Sequence, residues 1–449
     1  MEMSVWLELT ATGCYFCSGI RNVETITPQA GGLMTTRYGM TTRTTCRICG
    51  SDDLEMYLDL GDQPPSNAFI TPDEVADEQR FPLQVHLCKR CGLSQLVHVV
   101  HSEDIFDDYL YLSSTSKALC RHYEEMVNDI LARFDPPEGA LMVDIGANDG
   151  ITLRCYPEGR YHVLGVEPSS AGEYARKEGF EVVDAFFNAE TAAGIAESHG
   201  KASIITATNV FAHVDDIVSF AKGVKTLLAD DGIYVIEFPY VGDMLRLLYF
   251  DTIYHEHLCY LGFTPLKTLF DQVGLRMFDA VPSEIGASGP AKRLFVCKKE
   301  AFHETTQAMT AAVDSEADWG VREMTAYEEF AARVADVKSA IKAQVAGLKA
   351  DGKKIGGYAA PAKGNTLLNY LGLGPGDIAA ISENNAEKVG KVTPGAHIPI
   401  VGDTEFMDMG IDVSLLLAWN YADFFVENSD FAKNGGRFLV PLPEPVMRP

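Results

Sequence analysis

The chain is poor in positive charge: 37 lysines and arginines stand against 63 aspartates and glutamates, a formal charge of −26. Proteins that bind nucleic acid or anionic membranes neutralise phosphate with lysine and arginine, so the imbalance argues against both partners. Long apolar runs are missing too, and none approaches the ~20 residues of a spanning helix. The N-terminus has no basic region followed by an apolar core, the pattern of a secretory signal. A soluble cytoplasmic protein is therefore expected.

What remains is ordinary globular material: 449 residues, 47% hydrophobic and 22% charged, enough for two or three domains. Residues 1–43 read as an N-terminal extension, threonine-rich and weakly periodic, with Met34 and Met40 as alternative starts. Its Cys14-Tyr-Phe-Cys17 pair lacks the strand–helix frame of a redox site. Residues 44–103 read as a small zinc-binding domain. Cys46-Arg-Ile-Cys49 and Cys88-Lys-Arg-Cys91 supply four thiolates, which suit a closed tetrahedral zinc and hence a structural one. Disulfides are the poorer use of such cysteines in a cytosolic protein. Arg47, Lys89 and Arg90 would offset the charge of the centre, and His86 is a substitute ligand. Between the knuckles, the turn-rich stretch 59–69 is placed to reach a neighbouring domain's ligand.

Residues 104–300 alternate strands and helices as a doubly wound α/β sheet does. Leu141-Met-Val-Asp-Ile-Gly-Ala-Asn-Asp-Gly150 is a strand entering a glycine-punctuated loop, with 151–155 opening a helix. The loop is not Gly-x-Gly-x-x-Gly, so a dinucleotide is not its natural guest. About twenty residues on, Val163-Leu-Gly-Val-Glu167 ends a second strand in an acid that can take both ribose hydroxyls. Residues 204–213 form another strand, with Asn209 and His213 at its end. This ordered set suits S-adenosylmethionine, with Gly146, Asn148 and Asp149 on the methionine side, Glu167 on the ribose and Asn209 nearby. Residues 301–350 are a helical connector whose apolar stripe runs from Met324 to Leu348. Residues 351–449 begin a second Rossmann-like α/β unit, with strands near 378–381 and 413–419. There Lys363 and Asn365 stand at a helix start suited to phosphate, although the small residues also merely permit close packing.

Phe250-Asp-Thr-Ile-Tyr-His-Glu-His-Leu-Cys-Tyr260 is the candidate reaction centre. It follows the strand 232–238 and precedes a helix capped by Thr264-Pro265, so it lies where open α/β sheets place ligands. It is not the His-Glu-x-x-His of a zinc protease.

Taken in order, these motifs resemble the nucleotide-sugar C-methyltransferases, which make branched deoxysugars by C-3′ methylation. The resemblance spans 44–449 and includes Tyr109-Leu-Tyr-Leu-Ser-Ser-Thr-Ser116, Asn209-Val-Phe-Ala-His213, Asp251–His257, Gly357-Tyr-Ala-Ala-Pro-Ala-Lys-Gly-Asn365 and Ala418-Trp-Asn420. It implies a zinc-bearing N-terminal domain, a central class I methyltransferase domain and a C-terminal Rossmann-like domain helping to enclose the sugar nucleotide. It also implies substrate contacts from Tyr109, Tyr111, Lys363 and Asn365. Where relatives carry Gly-Gly-Ser-Leu-Arg, this chain has Ile285-Gly-Ala-Ser-Gly-Pro-Ala-Lys-Arg293, a departure that bears on the substrate. The chemistry expected is enolate formation beside a ketone. His257 is the base, titrating near the operating pH, and Glu256 orients it or holds a sugar hydroxyl. Tyr254 and His213 donate to the enolate oxygen, and zinc takes no part. A binding scaffold without turnover and an enzyme acting on a non-sugar carbonyl compound are the alternatives. Monomer or dimer stays open.

Overall fold

The zinc-spaced cysteines lie on or beside two turns between antiparallel strands, Cys46 and Cys49 at the first and Cys88 and Cys91 at the second. The computed structural model describes residues 38–101, 104–105, 112–283 and 289–449. Cys14, Cys17, Tyr109, Tyr111 and the 285–288 part of the departing run lie outside them. Strands β1 (Met40–Thr42) and β5 (His98–Val100) pair, while β2 (Leu54–Gln63), β3 (Phe81–Cys88) and β4 (Ser94–Leu96) form a sheet. Along β3, Phe81, Leu83, Val85 and Leu87 are buried and alternate with half-buried residues, the period of a one-sided strand.

The central sheet has seven strands: β6 (Leu141–Ile145), β7 (His162–Val166), β8 (Glu181–Val183), β9 (Ala202–Thr208), β10 (Leu228–Pro239), β12 (Leu275–Ser283) and β13 (Ala291–Lys298), ordered β12-β13-β10-β9-β6-β7-β8. The five strands β6–β10 are parallel and β13 is antiparallel to β10. Every residue of β6 is buried, as expected of a parallel strand covered on both faces. The order reverses between β6 and β9, which opens a ligand crevice at their carboxyl ends. One expectation fails here. Residues 151–155 form turns and a 3-10 segment, Leu153–Cys155, with no α-helix, because Pro157 holds Tyr156 extended at ψ 139°.

The short strand β11 (Cys259–Tyr260) leaves the central unit and pairs with β4, Cys259 opposite Gln95. The candidate reaction centre is thus held between the central sheet and the zinc-module sheet.

The C-terminal sheet contains β14 (Ile355–Tyr358), β15 (Ile381–Ser382), β16 (Ile400–Val401), β17 (Val413–Leu416), β18 (Arg437–Val440) and β19 (Val446–Arg448). Its order, β16-β15-β14-β17-β18-β19, is the 3-2-1-4-5-6 of a doubly wound fold. The long helix Met324–Ala350 buries Tyr327, Phe330, Val334, Val337, Ile341 and Val345, the expected stripe. They share one apolar core with Leu58 and Leu83 of the zinc module and Ile355 and Leu415 of the C-terminal sheet. Among the described residues, no helix is long and apolar enough to cross a membrane.

Candidate active site

Residues 250–260 fold as a 3-10 turn over Phe250–Thr252, a tight turn closed by His257 N–H donating to Tyr254 O (2.8 Å), and β11. The turn separates the two histidines. Tyr254, Glu256 and His257 line a large cavity, whereas His255 does not. His255 is 1% exposed and meets the edge of Phe81, with neither ring nitrogen hydrogen-bonded. The following helix is Phe263–Val273, capped at Gly262 and not at Thr264. The Glu316 carboxylate accepts Phe263 N and Thr264 N at 2.6 Å each, doing the work expected of a threonine cap.

His257 Nδ1 donates to Thr252 O at 2.6 Å. That bond fixes the tautomer and leaves Nε2 as the nitrogen able to accept a proton. The His257 ring stacks obliquely on Tyr254 at 4.0 Å and meets His213 edge-on at 4.8 Å. Burial, then the neighbouring His213, push the His257 pKa down to about 3, while the Thr252 bond opposes this. The imidazole therefore does not titrate near operating pH; it is held neutral. Burial likewise lowers His213 to about 4. Glu256 does not orient His257: its Oε1 accepts from Asn67 Nδ2 at 2.8 Å, and burial raises its pKa to about 7. Asn67 comes from the 59–69 stretch of the zinc module, which does reach the site.

The cavity, about 1330 Å³, extends from the β6–β9 crevice to the C-terminal sheet. Ordinary single-ligand pockets span ~300–1,000 Å³, so there is room here for two ligands. Gly146 is at φ 71°, and a Cβ on it would lie 2.2 Å from Val210 Cγ2; both facts demand glycine. Asn148 lines the cavity, its Oδ1 accepting Ser113 N at 2.9 Å. Asp149 does not line it. Its carboxylate accepts Ser114 N at 3.1 Å and so fastens the end of the 109–116 motif to the glycine loop. Glu167 lines the cavity with Oε2 accepting Asn148 N (2.8 Å) and Oε1 accepting Ser169 N (2.9 Å). Asn209 lines it too, with its Oδ1 buried and unbonded. An aimed carboxylate, a waiting amide oxygen and a two-ligand volume fit S-adenosylmethionine.

On the far wall, Lys363 lines the cavity, bonded to Asn420 Oδ1 and 4.8 Å above the Trp419 ring, while Trp419 Nε1 donates to Asp251 Oδ2 at 2.6 Å. Asn365 does not face the cavity. Its Nδ2 donates to Ser66 O at 2.7 Å, so it clamps the zinc-module loop to helix Ala362–Leu371. Thr252 O left no trace in the sequence, whereas Asn67 lies in the 59–69 stretch and Asn420 in the Ala418-Trp-Asn420 motif, both singled out there without a role for the individual residue.

The sulfurs of Cys46, Cys49, Cys88 and Cys91 lie within 4.8 Å of one another, with Cys46–Cys91 and Cys49–Cys88 at 3.5 Å. A tetrahedron of ~2.3 Å zinc–sulfur bonds has edges of ~3.8 Å, so this cage fits zinc and lies well beyond disulfide length. His86 is not part of it. Arg47 and Lys89 are each paired with a carboxylate. Arg47 Nε pairs with Asp215 at 2.9 Å, and Lys89 pairs with Glu55 at 2.9 Å.

A glycine loop, an acid on the next strand and a closed four-cysteine zinc module together define a zinc-bearing methyltransferase. Family models agree: a zinc binding domain matches 46–106, a methyltransferase domain 119–279 and a C-methyltransferase C-terminal domain 287–443. The C-methyltransferase NovU of Streptomyces niveus is 37% identical over 403 residues, covering 89% of this chain and 96% of that protein. The chain belongs to the C-methyltransferase family. It is an S-adenosylmethionine-dependent C-methyltransferase with a structural zinc. Solved structures that resemble part of it include a methyltransferase of Clostridium acetobutylicum (9% identity, 40% of this chain, 91% of that one, TM-score 0.31). Another is the magnesium protoporphyrin IX methyltransferase of Synechocystis (13% identity, 44% and 88%, TM-score 0.30).

Proposed function

We propose that the substrate is a nucleotide-linked keto-deoxysugar, methylated on the carbon beside its ketone, with His257 as the base. The observation that carries this is the Thr252–His257 bond, which fixes an acceptor nitrogen on a ring lining a two-ligand cavity. Carbon becomes nucleophilic only when a C–H beside a carbonyl gives up its proton, so a base and donors to the enolate oxygen are needed together. Neutral His257 takes the proton at Nε2, and the Thr252 carbonyl stabilises the imidazolium that forms. Tyr254 and neutral His213, both touching the His257 ring, donate to the enolate oxygen. Glu256, steadied by Asn67, holds a sugar hydroxyl. The loop 146–148 and Glu167 would hold S-adenosylmethionine, which supplies an electrophilic methyl group for the carbanion. Lys363 would face the diphosphate.

A second reading has one observation in its favour: Glu256, with a pKa near 7, matches the strength of an effective base better than His257 at about 3. Its bond to Asn67 commits one oxygen and leaves the other for this task.

The test is a mass screen of nucleotide keto-sugars with the cofactor. The expected result is gain of one CH2 on a sugar carbon together with release of demethylated cofactor. Turnover only with non-sugar carbonyl compounds, or cofactor binding with no turnover at all, would overturn the reading.

A further inference from the structure

The central sheet carries a second cluster of metal-binding side chains, at the ends of its strands away from the cavity. Among the described residues, the four cysteines aside, His162, Glu181 and His199 form the one group whose ligand atoms all lie within 4.8 Å of one another. His162 is the first residue of β7 and Glu181 the first of β8, the outermost strand, so both lie opposite the carboxyl ends that open into the crevice. His199 is the last residue of helix Ala189–His199. None of the three lines the cavity.

Both rings address one carboxylate. His162 Nε2 is 3.1 Å from Glu181 Oε2, and His199 Nε2 is 2.9 Å from Glu181 Oε1. The ring centroids are 5.3 Å apart. The tautomer of His199 is fixed from its other side. Ser198 Oγ donates to Gly194 O at 2.8 Å, so it presents lone pairs to His199 Nδ1 at 2.7 Å, and Nδ1 carries the proton. A neutral His199 then turns a bare Nε2 towards a carboxylate oxygen, two acceptors with no hydrogen between them. A cation resolves that conflict, either a proton on Nε2 or a metal ion. The proton serves one nitrogen–oxygen pair, whereas a metal engages all three groups together.

The spacing suits a metal. Imidazole and carboxylate bonds of ~2.1 Å put neighbouring ligand atoms ~3.0 Å apart in an octahedron and ~3.4 Å apart in a tetrahedron, and the two nitrogen–oxygen separations bracket the octahedral value. The carbonyl end of the helix beside His199 favours positive charge, as does the net charge of −26.

We propose that His162, Glu181 and His199 bind a divalent first-row transition metal, with water filling the remaining positions. The side chains of His162 and Glu181 are 45% and 53% exposed, so this site exchanges its metal with solvent and is weaker than the closed cysteine cage. It ties the edge strand and the helix end to β7 and takes no part in methyl transfer.

The test uses full-length protein dialysed to the one zinc per chain of its cysteine site, then titrated with zinc chloride in a calorimeter at about pH 8, where ligating imidazoles are unprotonated. Wild type should take up one further zinc per chain. His162→Ala and Glu181→Gln should each weaken that second zinc by about tenfold or more while keeping the cysteine-bound zinc and S-adenosylmethionine affinity. Ser198→Ala removes only the group that orients His199 and should cost about tenfold. No further zinc bound by wild type, or a second zinc held as tightly in His162→Ala, overturns the proposal. If His162→Ala fails to bind the cofactor and so to fold, Glu181→Gln and Ser198→Ala decide, and unchanged zinc affinity in both overturns it.

Discussion

Two doubly wound sheets wall the same cavity, and they furnish it differently. The central sheet and its loops contribute Glu167, Glu256, His213 and His257, and no lysine or arginine. The C-terminal sheet contributes Lys363 and Lys388, with Glu383 beside them. In a protein of charge −26 this division is informative. A sulfonium cofactor is a cation and suits the acidic wall, while a diphosphate suits the lysine wall. On the proposed function each sheet would draw a ligand of opposite charge, with Tyr254, Glu256 and His257 between them, on the segment that leads into β11.

The zinc module braces both walls, so its loss should have the largest effect. Cys46, Cys88 and Cys91 share a core with Phe263 and Leu266, and Leu83 shares one with Leu415. Structural zinc is worth on the order of 10 kcal/mol in zinc-finger peptides. Cys88→Ser, or chelation, should abolish cooperative thermal unfolding before any kinetic defect can be read, and elemental analysis of wild type should find one zinc per chain. A folded, metal-free, active protein would sever the zinc module from the comparison.

His257→Asn comes next. Both ligands should still bind, with methyl transfer reduced by roughly two to four powers of ten, the usual share of a positioned base. Tyr254→Phe should cost less, since His213 can still donate to the enolate.

The charge division itself is sharpened by a pair of variants read in one calorimeter. Glu167→Ala should weaken S-adenosylmethionine by about tenfold or more, because hydrogen bonds to an ionised group are worth ~1.5–3 kcal/mol each. Lys363→Met should weaken the anionic substrate and spare the cofactor. If each variant weakened both ligands equally, the walls would not be specialised.

The smallest effect on rate is expected from His255→Asn, since His255 points away from the cavity. Its signature lies in stability. Burial lowers the His255 pKa to about 4, against 6.5 for an exposed histidine. Above pH 6.5 neither folded nor unfolded chain binds this proton. As pH falls from 6.5 to 4 the unfolded chain takes it up and the folded chain resists, so stability drops. The Asn variant should show a shallower acid-side fall in melting temperature; an unchanged slope would place the titration elsewhere.

Much of this was legible from residue order. The Cys-x-x-Cys pairs, the loop from Gly146, Glu167 about twenty residues on and the Tyr-His-Glu-His run each carry their chemistry in local spacing. The long helix was readable from its stripe of threes and fours. What escaped depends on distance in sequence or on backbone. Asn67 reaches Glu256 across 189 residues, and Asn365 reaches Ser66 across 299, separations that leave no periodic trace. The partner of His257 is a carbonyl, which any residue at 252 would supply. Asp149 looked like a ligand group because its loop is one, yet a serine amide claims it. The depth of burial that lowers His257 to about 3 arises from three packed modules, which no single segment reveals.

Proton exchange tests the central claim most directly. With an unreactive cofactor analogue bound, wild type in deuterated buffer should exchange the substrate proton beside the ketone, and Glu256→Gln should retain most of that rate. His257→Asn should exchange slower by two or more powers of ten, in line with the loss of a general base. Exchange at the wild-type rate in His257→Asn, with its loss in Glu256→Gln, would contradict the assignment and make Glu256 the base.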